Sequence, residues 1–278
     1  MRDNHEMIEL AELGIDPSYD FVRSTFRFRT FGDDLASRWI DGGLHRVLGS
    51  GLAVRIEASG VTAYGEVTDA DRIELAHALG ARFDVPGLVA AFPEVAARAP
   101  GFRPPLLYDP FEMLVTSVTA QQISLKVAAV MRRGLVERFG HRVDHDGRTW
   151  WRFPPADNIR GGDLTGLKLS GAKIRAIGSL VDASAELDRT ELDALPDEDV
   201  IARLTELHGI GRWTAEWFLA RCLGRPSVVA AGDLGVRKAV AAWFSEDAIW
   251  PEGRVREACA VFGIHTNLAV HYLLAVGG

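Results

Sequence analysis

Hydrophobic and polar positions change rhythm near residue 100. Before it the pattern is mixed. FVRSTFRFR (21–29) partly alternates, with Phe26 and Phe28 against Arg27 and Arg29, and predicts a half-buried strand. LAVRIEAS (52–59) and VTAYGEV (61–67) read as strands joined through Ser59-Gly60 in a hairpin. From Asp69 to Phe83 the residues Ile73, Leu75, Ala76 and Leu79 fall at helical spacing. The segment ARAPGFRPPLLYDP (97–110) holds four prolines and is the strongest boundary signal in the chain.

Beyond that boundary the periodicity is helical. Asp109-Pro110-Phe111-Glu112 combines an N-cap acid, a proline at the first helical position and a glutamate three residues after the cap. A second helix begins near Ser124 and runs through KVAAVMRRGLVERF, and HRVDHDGRTWWRFPP (141–155) is a loop or small hairpin. Further helices are expected at about 171–186, 197–206, 213–223, 233–244, 252–262 and 266–275. The chain contains no repeat and no low-complexity segment. The expected architecture is α+β: a mixed α/β domain over 1–100 and an all-helical domain over 101–278.

Composition adds little until charge is located. The 278 residues are 47% hydrophobic and 25% charged, the balance of an ordinary globular protein. No uninterrupted apolar run approaches a membrane span, and MRDNHEMIEL lacks a signal-peptide core, so the expectation is a cytoplasmic protein without a membrane partner. Two cysteines, Cys222 and Cys259, cannot form a four-cysteine metal centre and are read as inert buried thiols. A net charge of −7 by itself argues against a nucleic-acid partner. Its distribution reverses that. Residues 1–100 hold 10 Lys and Arg against 16 Asp and Glu, whereas residues 203–240 hold six against three.

That basic stretch contains LHGIGRWTAEWFLA. Gly209 and Gly211 flank one isoleucine just before an amphipathic helix, at positions where glycine serves sharp turning or close approach. Helix, glycine loop and helix form a helix–hairpin–helix candidate. Its amides and the positive helix end suit a phosphate, held independently of base sequence, with Arg212 and Thr214 adding contacts. The same pattern also suits a tight connection between packed helices.

LHGIGRWTAEWFLARCLG followed by VVAAGDLGVRKAV resembles the signature of the helix–hairpin–helix DNA glycosylase superfamily. YDPFEMLVTSVTAQQISLKVAA (108–129) and LTGLKLSGAKIRAIGSLV (164–181) resemble two further family segments, in the same order. The acidic N-terminal part resembles the TBP-like extra domain of the 3-methyladenine DNA glycosylase II branch. The likeness covers nearly the whole chain and is strongest over 105–245. It implies a DNA glycosylase that flips a damaged base out of duplex DNA and acts as a monomer.

The resemblance also assigns roles. Asp233 falls where the family carries the carboxylate that stabilises positive charge on the sugar; GDLGVRKA equally makes it a helix N-cap. Trp213 occupies the position where members that also cut the backbone carry a lysine nucleophile, which implies hydrolysis by water without lyase chemistry. Trp213 and Trp217 share one helix face, either lining a base pocket suited to cationic methylated purines or forming a plain core stripe. Gln122 matches the residue inserted into the minor groove, and the Gln121-Gln122 pair also suits capping of helix ends. Lys168 and Lys173 sit where they would meet phosphate or remain solvated. The main-chain carbonyls of Thr205, Leu207 and Ile210 correspond to a possible structural mono- or divalent cation site, with no cofactor required for the reaction. One departure stands out: FGIHTNLAVHYLL (262–274) puts Ile264 and His265 where the branch often carries a tryptophan–arginine pair, leaving an aliphatic residue at the pocket wall.

Overall fold

Alternating side chains build the N-terminal half around an antiparallel sheet. The computed structural model describes residues 5–145 and 147–275. Strands β1 (Glu6–Ile8), β2 (Arg38–Ile40), β3 (Gly43–Val47), β4 (Ala53–Glu57) and β5 (Gly60–Ala63) lie in the order β1-β5-β4-β3-β2, every pair antiparallel. The register aligns Ile8 with Val61, Val61 with Ile56 and Ile56 with Leu44, so one face is apolar. Helix α1 (Asp69–Ala78) covers that face with Leu75. Thr68 and Asp71 close its first turn in a reciprocal capping box. The expected hairpin at 52–67 is present, with Ala58-Ser59 at its tip and Glu57 paired with Gly60.

The alternating stretch 21–29 is not a strand. It forms two short helices, Phe21–Ser24 and Phe26–Thr30. Asp20 accepts a hydrogen bond from the Arg23 amide at 2.8 Å and starts the first turn. Conversely, β2 and β3 lie in a segment where the sequence reading placed no strand. They turn through Asp41 and Gly42, both at positive φ (49° and 81°), in a two-residue hairpin.

The C-terminal half is helical. Helix α2 (Pro110–Ala120) is buried along almost its whole length, with Asp109 accepting from the Glu112 amide at 2.8 Å. The Glu112 side chain does not return to the cap. It is buried against Arg46 of β3 (3.0 Å) and Arg132 (3.4 Å), and Arg132 also pairs with Asp34 at 2.7 Å. Burial raises the Glu112 pKa, opposed by these two arginines. Around α2 pack α3 (Leu125–Phe139), α4 (Gly171–Asp182), α5 (Asp197–Thr205), α6 (Arg212–Phe218), α7 (Leu234–Trp243), α8 (Glu252–Cys259) and α9 (Thr266–Ala275). Short helices at Val85–Ala91 and Pro93–Ala96 contribute Leu88, Val95 and Ala96 to this same core.

Strands β6 (His141–His145) and β7 (Arg148–Arg152) form the hairpin expected near 141–155, and Trp150 stacks on His45 of β3 at 4.5 Å. Helix α6 continues as a π-helical turn over Leu219–Leu223, a feature often found at functional sites. Glu252–Ala275 has the length and apolar composition of a membrane span, yet Gly263 breaks it at φ 53° and 56% of its most apolar window is buried in the core. Both cysteines are free and buried, and burial drives the Cys259 thiol to about 12.

Candidate active site

The glycine hairpin is wedged between two helices. Gly209 has φ 82°, and a Cβ added there would lie 2.5 Å from Ala176 Cβ on α4. Its carbonyl accepts from Gln121 Nε2 at 3.0 Å, and the same amide donates to Thr214 Oγ1 at 3.2 Å. The His208 amide donates to Ser179 Oγ at 3.1 Å. Gly211 differs: it N-caps α6 without a side-chain acceptor, and a Cβ there would meet nothing within 4 Å. The backbone is thus braced from behind and open in front.

Beside α6 stands Asp233, half-buried, and its two candidate roles coexist. Oδ1 accepts from the Val236 amide at 3.1 Å and caps α7. Oδ2 accepts from Trp213 Nε1 at 3.1 Å and Trp217 Nε1 at 3.2 Å. Four-residue spacing on α6 sends both indoles to the same oxygen. Three N–H donors therefore fix the carboxylate's position.

The helix junction is also organised. Gln122 is exposed and held at φ 58°, uncommon for a residue with a side chain. Lys173 behaves unlike the phosphate ligand expected. It is buried, and its Nζ donates to the carbonyls of Val118 (2.6 Å), Thr119 (3.1 Å) and Gln121 (2.9 Å). A cation there meets the carbonyl end of α2, so Lys173 tethers the segment that presents Gln122. Burial lowers its pKa.

Four further placements differ from the sequence reading. Arg212 pairs with Glu198 (2.8 Å) and with the buried Glu216 (2.9 Å), which also takes Arg256 at 2.6 Å, so its guanidinium is committed within the protein. Thr214 is buried under Gln121 rather than facing outward. Ile210 is buried, and its amide donates to the Leu207 carbonyl at 3.1 Å, so only its main chain serves the hairpin. Ile264 is 67% exposed on the turn Ala260–His265 and builds no buried wall beside Asp233. Its neighbour His265 instead packs by Phe92, the ring centroids 6.2 Å apart. Lys168 is exposed at φ 58°, on the rim of a surface depression of about 540 Å³. None of that depression's lining residues belongs to the Asp233 cluster.

Sequence reasoning overlooked Arg221 and His271. The Arg221 guanidinium stacks 4.0 Å from the Trp217 ring centroid, and its Nε donates to His271 Nε2 at 3.3 Å. His271 Nδ1 in turn lies 2.9 Å from the Asn267 carbonyl, to which it donates. Burial, then the nearby Arg221 charge, lowers the His271 pKa to about 3, leaving a neutral ring. Burial brings Arg221 down to about 10, against the pull of Asp233. The available signal was spacing: Arg221 follows Trp217 by four residues.

Comparison with known proteins gives the same direction. No family model matches the chain. It is 36% identical over 134 residues to a DNA-3-methyladenine glycosylase of Bacillus subtilis, covering 46% of this chain and 44% of that protein. The chain spans between 33% and 55% of the length of the curated relatives it matches. Its fold matches a 3-methyladenine DNA glycosylase from Archaeoglobus fulgidus with a TM-score of 0.82 and 26% identity, over 97% of both chains. The 3-methyladenine DNA glycosylase of Schizosaccharomyces pombe, solved in complex with abasic DNA, matches with a TM-score of 0.57 and 26% identity, over 68% of this chain and 92% of that one. In sequence the chain is similar to 3-methyladenine DNA glycosylases, and over nearly its whole length it shares the fold of one of them.

Proposed function

We propose that this protein is a monofunctional DNA glycosylase that flips and hydrolytically excises alkylated purines of the 3-methyladenine type from duplex DNA, as a first step of base excision repair. The observation that carries the reading is the Asp233 carboxylate, held beside the hairpin helix by two of its indoles and by a backbone amide of α7. Breaking the N-glycosidic bond builds positive charge on the sugar, and a fixed anion facing that charge lowers the barrier. The same oxygen atoms suit orientation of the attacking water.

Trp213 supports water, rather than an enzyme amine, as the nucleophile. The chain has only four lysines, Lys126, Lys168, Lys173 and Lys238, and the Lys173 amine is occupied by three carbonyls. DNA is met by the backbone at Gly209, Ile210 and Gly211, with Gln122 filling the gap left by the flipped base. Oxygen atoms at the end of α5 and in the hairpin, the carbonyls of Thr205, Leu207 and Ile210, suit a hard cation there, which would bind the phosphate-facing loop without entering the chemistry. The 1–100 unit fits a TBP-like accessory domain and 101–278 the glycosylase domain, in a monomer working on DNA in the cytoplasm or nucleoid.

Single-turnover release of methylpurine from methylated duplex DNA tests this. The natural protein should release base and leave an intact abasic strand, and Asp233→Asn should slow release by about 100-fold or more while binding DNA with similar affinity. Full activity in Asp233→Asn removes the carboxylate from the mechanism, and strand cleavage removes the monofunctional assignment.

A further inference from the structure

One side chain joins the two elements that would meet DNA. Gln121 stands directly before the exposed Gln122, and its Nε2 donates both to the Gly209 carbonyl at 3.0 Å and to Thr214 Oγ1 at 3.2 Å. Those acceptors bracket Gly211 in the chain, so a single amide grips the hairpin on either side of its open position. An amide suits this place. Its nitrogen carries two donors, whereas a carboxylate there would set oxygen against the Gly209 carbonyl. The main chain of Gln121 is held as firmly. Its N–H donates to the Ser117 carbonyl at 3.1 Å, and its carbonyl accepts from Lys173 Nζ at 2.9 Å. Gln122 follows at φ 58°, a left-handed conformation that a residue with a side chain keeps only where its surroundings impose it. Gly209 in turn lies against Ala176 of α4, the helix that carries Lys173. The end of α2, the start of α4 and the hairpin are thus lashed together at Gln121.

We infer that Gln121 is a positioning residue: it locks Gln122 to the phosphate-facing hairpin as one rigid body, and so sets the rate of base extrusion rather than of bond cleavage. This rests on the glycosylase reading above and adds a residue that the reading does not use. Contacts to the phosphate backbone fix the register of a protein on its duplex. With the Gln121 bridge in place, the same seating also fixes where Gln122 enters the stack. Without it the two contacts move separately, and insertion at the lesion requires a search of its own. Cleavage does not draw on the bridge. Asp233 takes its hydrogen bonds from Trp213, Trp217 and the Val236 amide, none of them a partner of Gln121. Extruding a paired base costs unpairing as well as unstacking, and an unpaired base costs less. Dependence on Gln121 therefore follows the pairing of the lesion.

The test uses two duplexes that each carry one N7-methylguanine, opposite cytosine in the first and opposite an abasic analogue in the second. Single-turnover release at saturating protein reads extrusion and cleavage without affinity. Gln121→Met keeps the length of the side chain but no donor. It should slow release from the paired duplex about tenfold and change release from the unpaired one by about twofold or less. Thr214→Val, which removes one acceptor alone, should show the same bias at smaller size. Equal slowing on both duplexes is the signature of a merely structural role and would overturn the inference, as would unchanged release from both. Emission of 2-aminopurine beside the lesion, in duplex bound by Asp233→Asn, reads extrusion without chemistry. It should rise on binding, and rise less with Asp233→Asn/Gln121→Met. If the natural protein releases no base, the glycosylase reading fails alone and this emission decides the role of Gln121. A rise that is absent, or equal in the two proteins, sinks the inference.

Discussion

Gly209 and Gly211 look interchangeable in HGIGRW and are not. Gly209 is fixed by a left-handed φ and by Ala176 lying 2.5 Å from any Cβ. Gly209→Ala should therefore destabilise the fold by about 1–3 kcal/mol, seen as a lower melting temperature in the absence of DNA. Gly211 has open space on its side-chain side. Gly211→Leu should leave the melting temperature nearly unchanged and weaken binding to damaged and undamaged duplexes alike. A loss confined to damaged DNA would contradict a backbone role for the hairpin. At this scale the sequence was partly legible. The carboxylate at 233 and the indoles at 213 and 217 were nameable because their positions follow a motif. The commitments of Lys173, Arg212 and Thr214 were not, because long side chains choose partners that are distant in sequence: Lys173 reaches carbonyls 52 to 55 positions away.

Among the elements, several helix starts are legible from their caps. Asp109, Ser124 and Asp233 each cap a helix at the place the sequence indicates. The stretch 21–29 misleads because Arg27 and Arg29, interleaved with Phe26 and Phe28, imitate alternation, while Asp20 commits the backbone to a turn. The Asp41-Gly42 turn carried an ordinary hairpin signal that went unread, since β2 has only three residues. The π-helical turn at Leu219–Leu223, which includes Arg221, left no mark in the hydrophobic pattern. One element depends on another through Lys173. Lys173→Met strips the carbonyl end of α2 of three hydrogen bonds and should cost about 2–4 kcal/mol in denaturant unfolding. It should also reduce duplex affinity, because the exposed Gln122 follows directly on that end. Unaltered affinity would separate the tether from DNA binding.

For the whole molecule, buried neutral histidines matter most. Burial lowers His45 to about 4 and His77 and His271 to about 3, helped in each case by neighbouring arginines. An unfolded histidine takes up its proton near pH 6.5, whereas these do not, so the unfolded chain binds more protons and stability falls as pH drops below 6.5. By pH 5 each deeply shifted histidine costs about 2 kcal/mol. Glu112 and Glu74, with pKa values raised by burial, offset part of this. Melting temperature should decline steadily between pH 6.5 and 4, and less steeply in His77→Gln. A flat profile would show that these rings are protonated in the fold.

The apolar cores of the two halves were foreseeable, but what crosses between them was not. Arg46 on a strand of the sheet and Arg132 on a helix grip Glu112 from opposite sides, with Asp34 closing the group. Pulling the halves apart would leave that glutamate facing a single arginine in a dry interior. A seam closed by a buried ion cluster is a hard one: the sheet and the helices that carry the carboxylate should melt in a single cooperative transition.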